Sequence, residues 1–482
     1  MPLPKDDSLF FAPVSELVAG LRKREFSALE LTKAFSDRLE KFGPRYNALA
    51  LSLREQAIRK AKDVDGDIKK ERFRSPLQGI PYGAKDLLAV KGQPTAWGAQ
   101  PFAGQVFDAD AAVVKKLDKA GAILIGKLAM VELAGGPTYR YAAASSTGPG
   151  LNPWDRTRWS GGSSSGSGSA MAAGLVGFAI GSETSGSILT PSAFCGVTGL
   201  RPTYGLVSRH GAMALSWTLD KLGPMARSAE DCGLILQTIA GKDGDDPGSA
   251  GKNFYYAPQF VRPLSELTIG FHPTDWEERP DAALRPALNT ALDVFKGFGC
   301  KIKEVEIPDF PYGPVISTIL GGEAGAVFED FIRSGGVDKL ADAKQIAGLK
   351  ATQEVLAKDY LKAMRIRSLI RDAFATLFID VDVLLAPARN SIAGKVADPL
   401  DRPAAAPAGA PSPPPPRNRG LQGLIPAANL AGLPALCLPC GFADKLPVGV
   451  QLVSRPFNEN VLLALGVKYQ SQTDWHKRQP PI

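Results

Sequence analysis

Histidine and cysteine are scarce in this 482-residue sequence, which contains three histidines and five cysteines. Five cysteines are too few for a disulfide scaffold and are typical of a protein from a reducing compartment. Cys437 and Cys440 have the spacing of a redox pair but lie in an apolar run, so we interpret both as buried core residues. The histidines, His210, His272 and His476, complete neither an H-E-x-x-H motif nor a cluster with carboxylates. We therefore expect no metal site and no cofactor.

Long apolar runs and blocks of like charge are also missing. The most apolar stretch, residues 170–181, is too short and too rich in glycine to cross a bilayer. The net charge of +7 is spread along the chain, which indicates solubility more than nucleic-acid binding. The first residues lack the pattern of a signal peptide. We expect a cytoplasmic monomer or homodimer with a small-molecule substrate, and neither a nucleic-acid nor a membrane partner.

The apolar residues that are present come in short runs after residue 77, and these runs alternate with segments of helix length. Such runs predict strands that are buried on both faces of a mixed sheet. The predicted fold class is therefore α/β, a large mixed β-sheet covered by helices on both faces. The predicted strands lie at 121–128, 174–181, 267–271, 381–387, 434–442 and 447–454.

The first 60 residues predict helices instead. Ser27-Ala-Leu-Glu30 is a capping box, and apolar residues follow it at helical spacing up to Phe42. Ser228 begins another capped helix. We expect a single domain over 1–482 with five successive parts: a helical layer (1–70), a core that carries the unusual motifs (71–230), variable helices and strands (231–390), a proline-rich surface insertion (391–420, with the low-complexity run at 399–416), and core strands with a last helix (421–482).

The chemically unusual segment is rich in serine and glycine: WSGGSSSGSGSAMAAG at 159–174, followed by GSETSGSILTPSAFCG at 181–196. A flexible linker is one interpretation of this composition. Linkers, however, do not run directly into apolar sequence such as AMAAGLVGFAIG, which has to be packed. We favour a packed segment in which glycine lets the backbone approach a ligand closely.

Three familiar motifs match only in part. Residues 162–166 fit G-x-S-x-G, but a polar, turn-rich segment precedes them where a nucleophile elbow needs an apolar strand. Residues 121–128 nearly match a P-loop, but Leu128 replaces the magnesium-binding hydroxyl and the middle of the motif is typical of a core strand. Ser249 and Lys252 have S-x-x-K spacing in a polar loop, where a lysine stays solvated and protonated.

A serine nucleophile without histidine needs another base. Lysine serves if burial lowers its pKa enough to leave the amine neutral near pH 7. Lys85, in PLQGIPYGAKDLLAVKG, follows a tight segment of glycine and proline and precedes Asp86 and four apolar residues. Such a position keeps the amine away from water. The alternative is a surface lysine with Asp86 beside it.

Five groups of segments follow one another along nearly the whole chain: PLQGIPYGAKD, then DADAAVVKKLDKAGAILIGKLAMVELA, then NPWDRTRWSGGSSSGS, then GSETSGSILTPSAFCGVTGLRPTYG, and last PAANLAGLPALCLPCGF with LPVGVQLVSRPFNE. Together they resemble the amidase signature family. Its members are serine hydrolases that include bacterial amidases, fatty acid amide hydrolase and the A subunit of glutamyl-tRNA amidotransferase. Five motifs in the family's order are far more specific than any one of them.

The resemblance implies a catalytic triad in which Ser187 is the nucleophile, Ser163 bridges and is held by a cis main chain, and Lys85 is the base. The two serines are 24 positions apart, which is the family's usual separation and selects Ser163 over Ser164 and Ser165. The implied reaction passes through an acyl-enzyme on a small-molecule amide. The implied oxyanion hole consists of the main-chain N–H groups of Thr184, Ser185, Gly186 and Ser187.

Other roles are weaker expectations. Residues that could line an acyl pocket are Met130, Gly135, Gly136, Tyr139, Phe194 and Trp217. The alternative for the larger side chains among them is that they are plain core. Arg201 and Asp220 are expected to support the loop behind Ser187 by ion pairing and hydrogen bonding.

The chain departs from the commonest family pattern in two places. Residues 183–189 read E-T-S-G-S-I-L where the family often has D-T-G-G-S-I-R, so Leu189 removes a charged group. Residues 128–132 read L-A-M-V-E where the amidotransferase protein typically has T-N-M-D-E. These differences favour a free-standing amidase over the alternative, the A subunit of a glutamyl-tRNA(Gln)/aspartyl-tRNA(Asn) amidotransferase that supplies ammonia from glutamine. Further alternatives are a carbamate or ester hydrolase on the same triad and an inactive binding homologue.

Overall fold

One large sheet runs through the computed structural model, which describes residues 7–135, 141–399 and 420–482. The described residues form thirteen strands: β1 (Leu49–Ser52), β2 (Pro81–Lys85), β3 (Ile123–Leu128), β4 (Leu151–Asn152), β5 (Asp155–Trp159), β6 (Phe178–Glu183), β7 (Thr198–Arg201), β8 (Lys221–Ala226), β9 (Thr268–Phe271), β10 (Lys301–Glu304), β11 (Val383–Pro387), β12 (Ala435–Ala443) and β13 (Leu446–Ser454).

Eleven of these strands form the sheet, in the spatial order β1-β3-β2-β6-β8-β7-β12-β13-β11-β9-β10, and β4 pairs with β5 separately. Strand β2 is parallel to both β3 and β6, and β9 is parallel to both β10 and β11. The other pairs in the sheet are antiparallel. The predicted mixed sheet is therefore confirmed.

Helices cover the sheet. The described residues form fifteen of them: α1 (Val14–Lys23), α2 (Ala28–Phe42), α3 (Arg54–Lys69), α4 (Ala112–Ala120), α5 (Ser165–Ala172), α6 (Leu189–Cys195), α7 (Ala229–Ile239), α8 (Thr274–Glu277), α9 (Arg285–Lys296), α10 (Tyr312–Val327), α11 (Glu329–Arg333), α12 (Ala343–Ala351), α13 (Ala357–Asp380), α14 (Leu424–Ala431) and α15 (Glu459–Gln472). Helices α5 and α6 pack against each other over central strands, and α7 and α15 form a second such group. No helix in the described ranges is long and apolar enough to cross a membrane.

Local sequence signals set two of the helix starts. The Ser27 hydroxyl accepts a hydrogen bond from the N–H of Glu30 at 3.1 Å, and the Glu30 carboxylate accepts one from the N–H of Ser27 at 2.8 Å. This reciprocal pair satisfies N–H groups that have no partner within the helix. Ser228 caps α7 by accepting from the N–H of Asp231 at 3.0 Å. Both predicted helix starts are confirmed.

The predicted strands are mostly placed correctly. Those at 121–128, 267–271, 381–387, 434–442 and 447–454 correspond to β3, β9, β11, β12 and β13. The one predicted at 174–181 is wrong in its bounds, because the chain first turns at Gly174, whose φ is +66°, and the strand β6 begins only at Phe178. Cys437 and Cys440 are buried free thiols on β12, as expected.

The serine- and glycine-rich segment is packed. All eight residues of α5 are buried, including three serines and two glycines, and the six residues of β6 that follow are buried as well. A flexible linker would expose these residues, so the linker interpretation is wrong. The proline-rich run at 399–416 lies outside the described residues, apart from Pro399.

The topology brings the unusual motifs together at one end of neighbouring central strands. Strands β2 and β6 are parallel neighbours, so their carboxyl ends, at Lys85 and Glu183, lie on the same side. Groups at the carboxyl ends of adjacent parallel strands are well placed to form a site. The strands of this one sheet come from residues 49–454.

Candidate active site

Lys85 is the last residue of β2, and its side chain is fully buried. Its Nζ donates hydrogen bonds to Ser163 Oγ at 2.7 Å and to Ser182 Oγ at 2.8 Å. Burial lowers the pKa of this amine to about 7, although the carboxylates of Asp220 and Glu183 act in the opposite direction. A substantial fraction of the amine is therefore neutral near pH 7 and able to accept a proton. The alternative of a surface lysine is wrong.

Ser163 lies in the loop before α5, and its hydroxyl faces the lysine. The peptide bond between Gly162 and Ser163 is cis. The Ser163 carbonyl accepts a hydrogen bond from the N–H of Val131 at 3.1 Å. Gly161 has φ +88°, and a Cβ there would lie 2.7 Å from the Cα of Pro191, so this loop passes too close to α6 for a side chain.

Ser187 lies in the loop between β6 and α6. Its carbonyl accepts a hydrogen bond from the N–H of Ser164 at 3.4 Å, which holds the two serine loops side by side. Gly186 has φ +90°, a conformation that side chains disfavour. Within the described ranges, the N–H groups of Ser185, Gly186 and Ser187 donate to no protein acceptor. They remain free to bind an oxygen atom of a ligand.

A buried ion pair supports this loop from behind. Glu183, at the end of β6, contacts Arg201 at 2.7 Å, and both side chains are fully buried. The other Glu183 oxygen accepts from the N–H groups of Ile188 and Leu189 at 2.9 and 3.1 Å. Burial alone would raise the pKa of Glu183, but the guanidinium of Arg201 lowers it to about 2. The carboxylate therefore stays charged and fixes the first turn of α6.

Replacing Glu183 by alanine should destabilise the protein by about 3–5 kcal/mol, because the change leaves the Arg201 charge buried without its partner. The measurement is the free energy of unfolding from urea titration. The matched control is Glu329→Ala, which removes an exposed helical pair with Arg333 and should cost about 0.3–0.5 kcal/mol. Equal losses for the two variants would contradict the assigned role of Glu183.

A second support acts on Thr184. Its hydroxyl donates to Asp220 Oδ1 at 2.6 Å, and Asp220 Oδ2 accepts from the N–H groups of Leu215 and Ser216 at 2.8 and 2.9 Å. Burial raises the pKa of Asp220 and lowers that of the neighbouring Lys221. Arg201 and Asp220 therefore lie where the sequence placed them, as supports of the loop.

Some residues of the site were not identified from the sequence. Ser182 is the second hydroxyl on the Lys85 amine, and it lies one position before Glu183 on β6. Asp86 does not contact solvent beside Lys85 but forms a buried ion pair of 2.8 Å with Lys127 on β3. Two features of the sequence could have indicated these contacts. Lys127 lies inside the apolar run at 121–128, and Glu183 is the last residue of β6.

A pocket of about 180 Å³ lies near the Lys85 amine, and Ser182, its hydrogen-bond partner, and Thr184 form part of the pocket wall. Of the residues predicted for substrate binding, Trp217 lines this pocket and Gly135 follows a lining residue, Ala134. Met130 and Phe194 do not line it. They are buried in hydrophobic clusters, which was the alternative for them. Two more of the predicted residues, Gly136 and Tyr139, lie outside the described residues.

No metal centre is apparent in the parts of the chain that the structure describes. Three or more His, Cys, Asp or Glu side chains do not come together there in a group that could hold a metal ion.

Comparison with known proteins decides the family. The sequence model of the amidase family matches residues 30–463. This chain belongs to the amidase signature family. The A subunit of the glutamyl-tRNA(Gln) amidotransferase from Gloeothece citriformis is 35% identical over 498 residues, which cover 98% of this chain and 99% of that protein.

Solved structures of related proteins share the fold of this chain. The peptide amidase of Stenotrophomonas maltophilia has a TM-score of 0.82 and 29% identity, over 98% of each chain. A chain from a vestigial protein complex that bears on the origins of an s-triazine catabolic enzyme has a TM-score of 0.84 and 30% identity, over 96% of this chain and 98% of that one. Membership in the family establishes an enzyme that acts on amide C–N bonds, as a hydrolase or an amidotransferase.

Proposed function

We propose that this enzyme cleaves a carboxylic amide through an acyl-enzyme on Ser187, with Ser163 as the bridge and Lys85 as the base. The observation that carries the proposal is the fully buried Lys85 amine, 2.7 Å from Ser163 Oγ and with a pKa of about 7. An amine with this pKa holds and releases a proton at neutral pH, which general acid–base catalysis requires.

In the first half of the reaction, neutral Lys85 takes a proton from Ser163 while Ser163 takes one from Ser187. The Ser187 oxygen then attacks the amide carbonyl carbon, and the carbonyl oxygen becomes an oxyanion. The N–H groups of residues 184–187 hold this oxyanion, and a single donor of this kind is worth about 2.7–4 kcal/mol.

In the second half, the proton returns through Ser163 to the leaving nitrogen, and the C–N bond breaks. Water then attacks the acyl-enzyme, with Lys85 again accepting a proton through Ser163. The carboxylic acid leaves and Ser187 recovers its proton. Lys85 therefore acts as a base for attack and as an acid for departure.

A fluorophosphonate probe tests this proposal, because it reacts covalently with an activated serine. We expect the purified chain to be labelled at Ser187, as mapped by peptide mass spectrometry, and the Ser187→Ala variant to remain unlabelled. The Ser249→Ala variant is the control, since Ser249 belongs to the rejected S-x-x-K motif and should label as the native chain does. Labelling at Ser249, or no labelling at all, would contradict the proposal.

Two candidate functions differ in where the released nitrogen goes. The sequence favours a free-standing amidase, but the named relatives at 35–36% identity are A subunits of a glutamyl-tRNA(Gln) amidotransferase and favour the alternative. They also weigh against the expectation that the enzyme has no nucleic-acid partner. The peptide amidase of similar structure favours a free-standing hydrolase.

A partner requirement separates these two candidates. We expect the purified chain alone to hydrolyse simple amides, since the three proposed catalytic residues all belong to this one chain. Co-purification with a B-subunit homologue, together with glutaminase activity that depends on that homologue, would instead establish the amidotransferase function. Activity assays on the isolated chain and on affinity-purified native complexes measure both outcomes.

A further inference from the structure

A pocket lies next to the proposed reacting groups and shares two neighbouring residues with them. Ser182, which accepts a hydrogen bond from the Lys85 amine, lines it, and so does Thr184 of the proposed oxyanion loop. A substituent of an amide held at Ser187 therefore has this pocket within reach. The pocket volume of about 180 Å³ resembles that of an engineered protein cavity of about 150 Å³ that binds benzene.

The rest of the wall is largely apolar. Leu87, Met213, Leu215 and Leu222 are buried side chains that line it. Trp217 lines it too but is half exposed, with 50% of its surface accessible. A large aromatic side chain that is left exposed at an apolar pocket presents a flat surface against which a ring packs.

Two charged side chains of the wall, Arg209 and Asp220, already have partners within the protein. Arg209 donates two hydrogen bonds to Asp246, at 2.6 and 3.0 Å, so its charge is neutralised within the wall. Asp220 accepts from the hydroxyl of Thr184 and from two main-chain N–H groups. The remaining polar side chains are the half-buried His210 and the exposed Asp245. The described wall thus offers no unpaired arginine or lysine for a substrate carboxylate.

The loop that carries Trp217 is also fixed in place. Glu323 of α10 accepts hydrogen bonds from the Ser216 hydroxyl, from the N–H of Thr218 at 3.1 Å and from the Tyr360 hydroxyl at 2.8 Å. Arg367 of α13 donates to the Thr218 carbonyl at 2.7 Å. These contacts hold the residues on both sides of Trp217, so the wall is formed before a substrate binds.

We propose that this pocket binds an uncharged apolar group of the amide substrate, an aryl or branched alkyl substituent, with Trp217 against one face of it. The inference rests on the proposed function and goes beyond it by naming the substrate class. A zwitterionic amide such as glutamine brings a carboxylate into a described wall that offers no unpaired arginine or lysine, and desolvating the carboxylate there is costly.

The first test compares kcat/KM of the purified chain for four amides. Phenylacetamide carries its ring on the acyl side, acetanilide carries it on the nitrogen, and acetamide and L-glutamine lack a ring. We expect one of the two aryl amides to exceed acetamide and glutamine by about 10- to 100-fold, the range expected for burying a ring of this size. The preferred aryl amide then shows whether the pocket binds the acyl side or the amine side of the substrate.

The second test replaces Trp217 by alanine. We expect the ratio of kcat/KM for the preferred aryl amide to that for acetamide to fall about tenfold. Phe260→Ala is the matched control, because Phe260 is an exposed aromatic residue outside the pocket wall and its loss should leave the ratio unchanged. Trp217 is half exposed, so the variant should fold.

The experiments distinguish a failure of this inference from a failure of the proposed function. A chain that labels at Ser187 but prefers glutamine, or whose ratio is the same in Trp217→Ala, overturns this inference and leaves the acyl-enzyme proposal standing. A chain that neither labels at Ser187 nor cleaves any of the four amides overturns the proposed function and this inference with it.

Discussion

Replacing Ser187 by alanine is expected to lower kcat by about 10⁴- to 10⁶-fold, the size of effect seen when a triad nucleophile is removed. The variant keeps the loop, because Glu183 holds α6 through the main-chain N–H groups of Ile188 and Leu189 and not through the Ser187 side chain. The measurement is steady-state hydrolysis of the preferred amide, with circular dichroism to check the fold.

Ser249→Ala provides the control for that experiment, since it removes a hydroxyl from a loop with the S-x-x-K spacing but outside the site. Its kcat should equal that of the native chain. Substantial hydrolysis by the Ser187→Ala variant would mean that another group attacks the carbonyl. A loss of activity in Ser249→Ala with Ser187 intact would instead favour a catalytic role for the S-x-x-K motif.

Replacing Lys85 by methionine is expected to lower kcat/KM by about 10³-fold or more, because the proposed relay loses the amine that accepts its proton from Ser163 while the unbranched side chain fills a similar volume. For the native chain, log kcat/KM should rise with pH up to about 7 and then level, since the amine accepts a proton only when neutral. The methionine variant should lose this dependence. The measurement is kcat/KM between pH 5 and pH 9.

Stability gives an independent check on the same amine. The pKa of Lys85 is about 7 when folded, below its ordinary value of 10.5. Between these values the unfolded chain binds the extra proton, so the free energy of unfolding rises with pH in this window. Relative to Lys85→Met, the native chain should therefore gain stability from pH 7 towards pH 10.5.

Lys252→Met is the control for both measurements, because that lysine is exposed. It should alter neither the pH profile nor the pH dependence of stability. A native profile that stays flat from pH 5 to pH 9 would contradict the role of Lys85 as the base.

The candidate site contains residues that were identified from the sequence and one that was not. Lys85 was identified from its segment of glycine, proline and apolar neighbours, and Ser163 and Ser187 were implied by the family resemblance. Ser182 was not identified, although it lies in the same serine-rich segment as Ser187. Its contact with Lys85 depends on β2 and β6 being parallel neighbours, which nothing near either residue in the sequence specifies.

The helices and strands of the fold also include some that the sequence predicted and some that it did not. Capping residues and apolar runs determined the starts of α2 and α7 and the positions of five strands, because these signals act over a few neighbouring residues. The short strands β1, β2, β7, β8 and β10 were not predicted. They have no long apolar run of their own and are strands because of the partners with which they pair.

The sequence by itself determined that this chain has an α/β fold and which lysine and serines stand in the unusual motifs, and it predicted a lysine as the base in place of a histidine. Only the tertiary structure decided that the lysine is buried and has a lowered pKa, that Glu183 pairs with Arg201, and that Trp217 and not Met130 lines the pocket. The physical reason is that burial and pairing are properties of contacts between distant segments, whereas a motif records only its own neighbours.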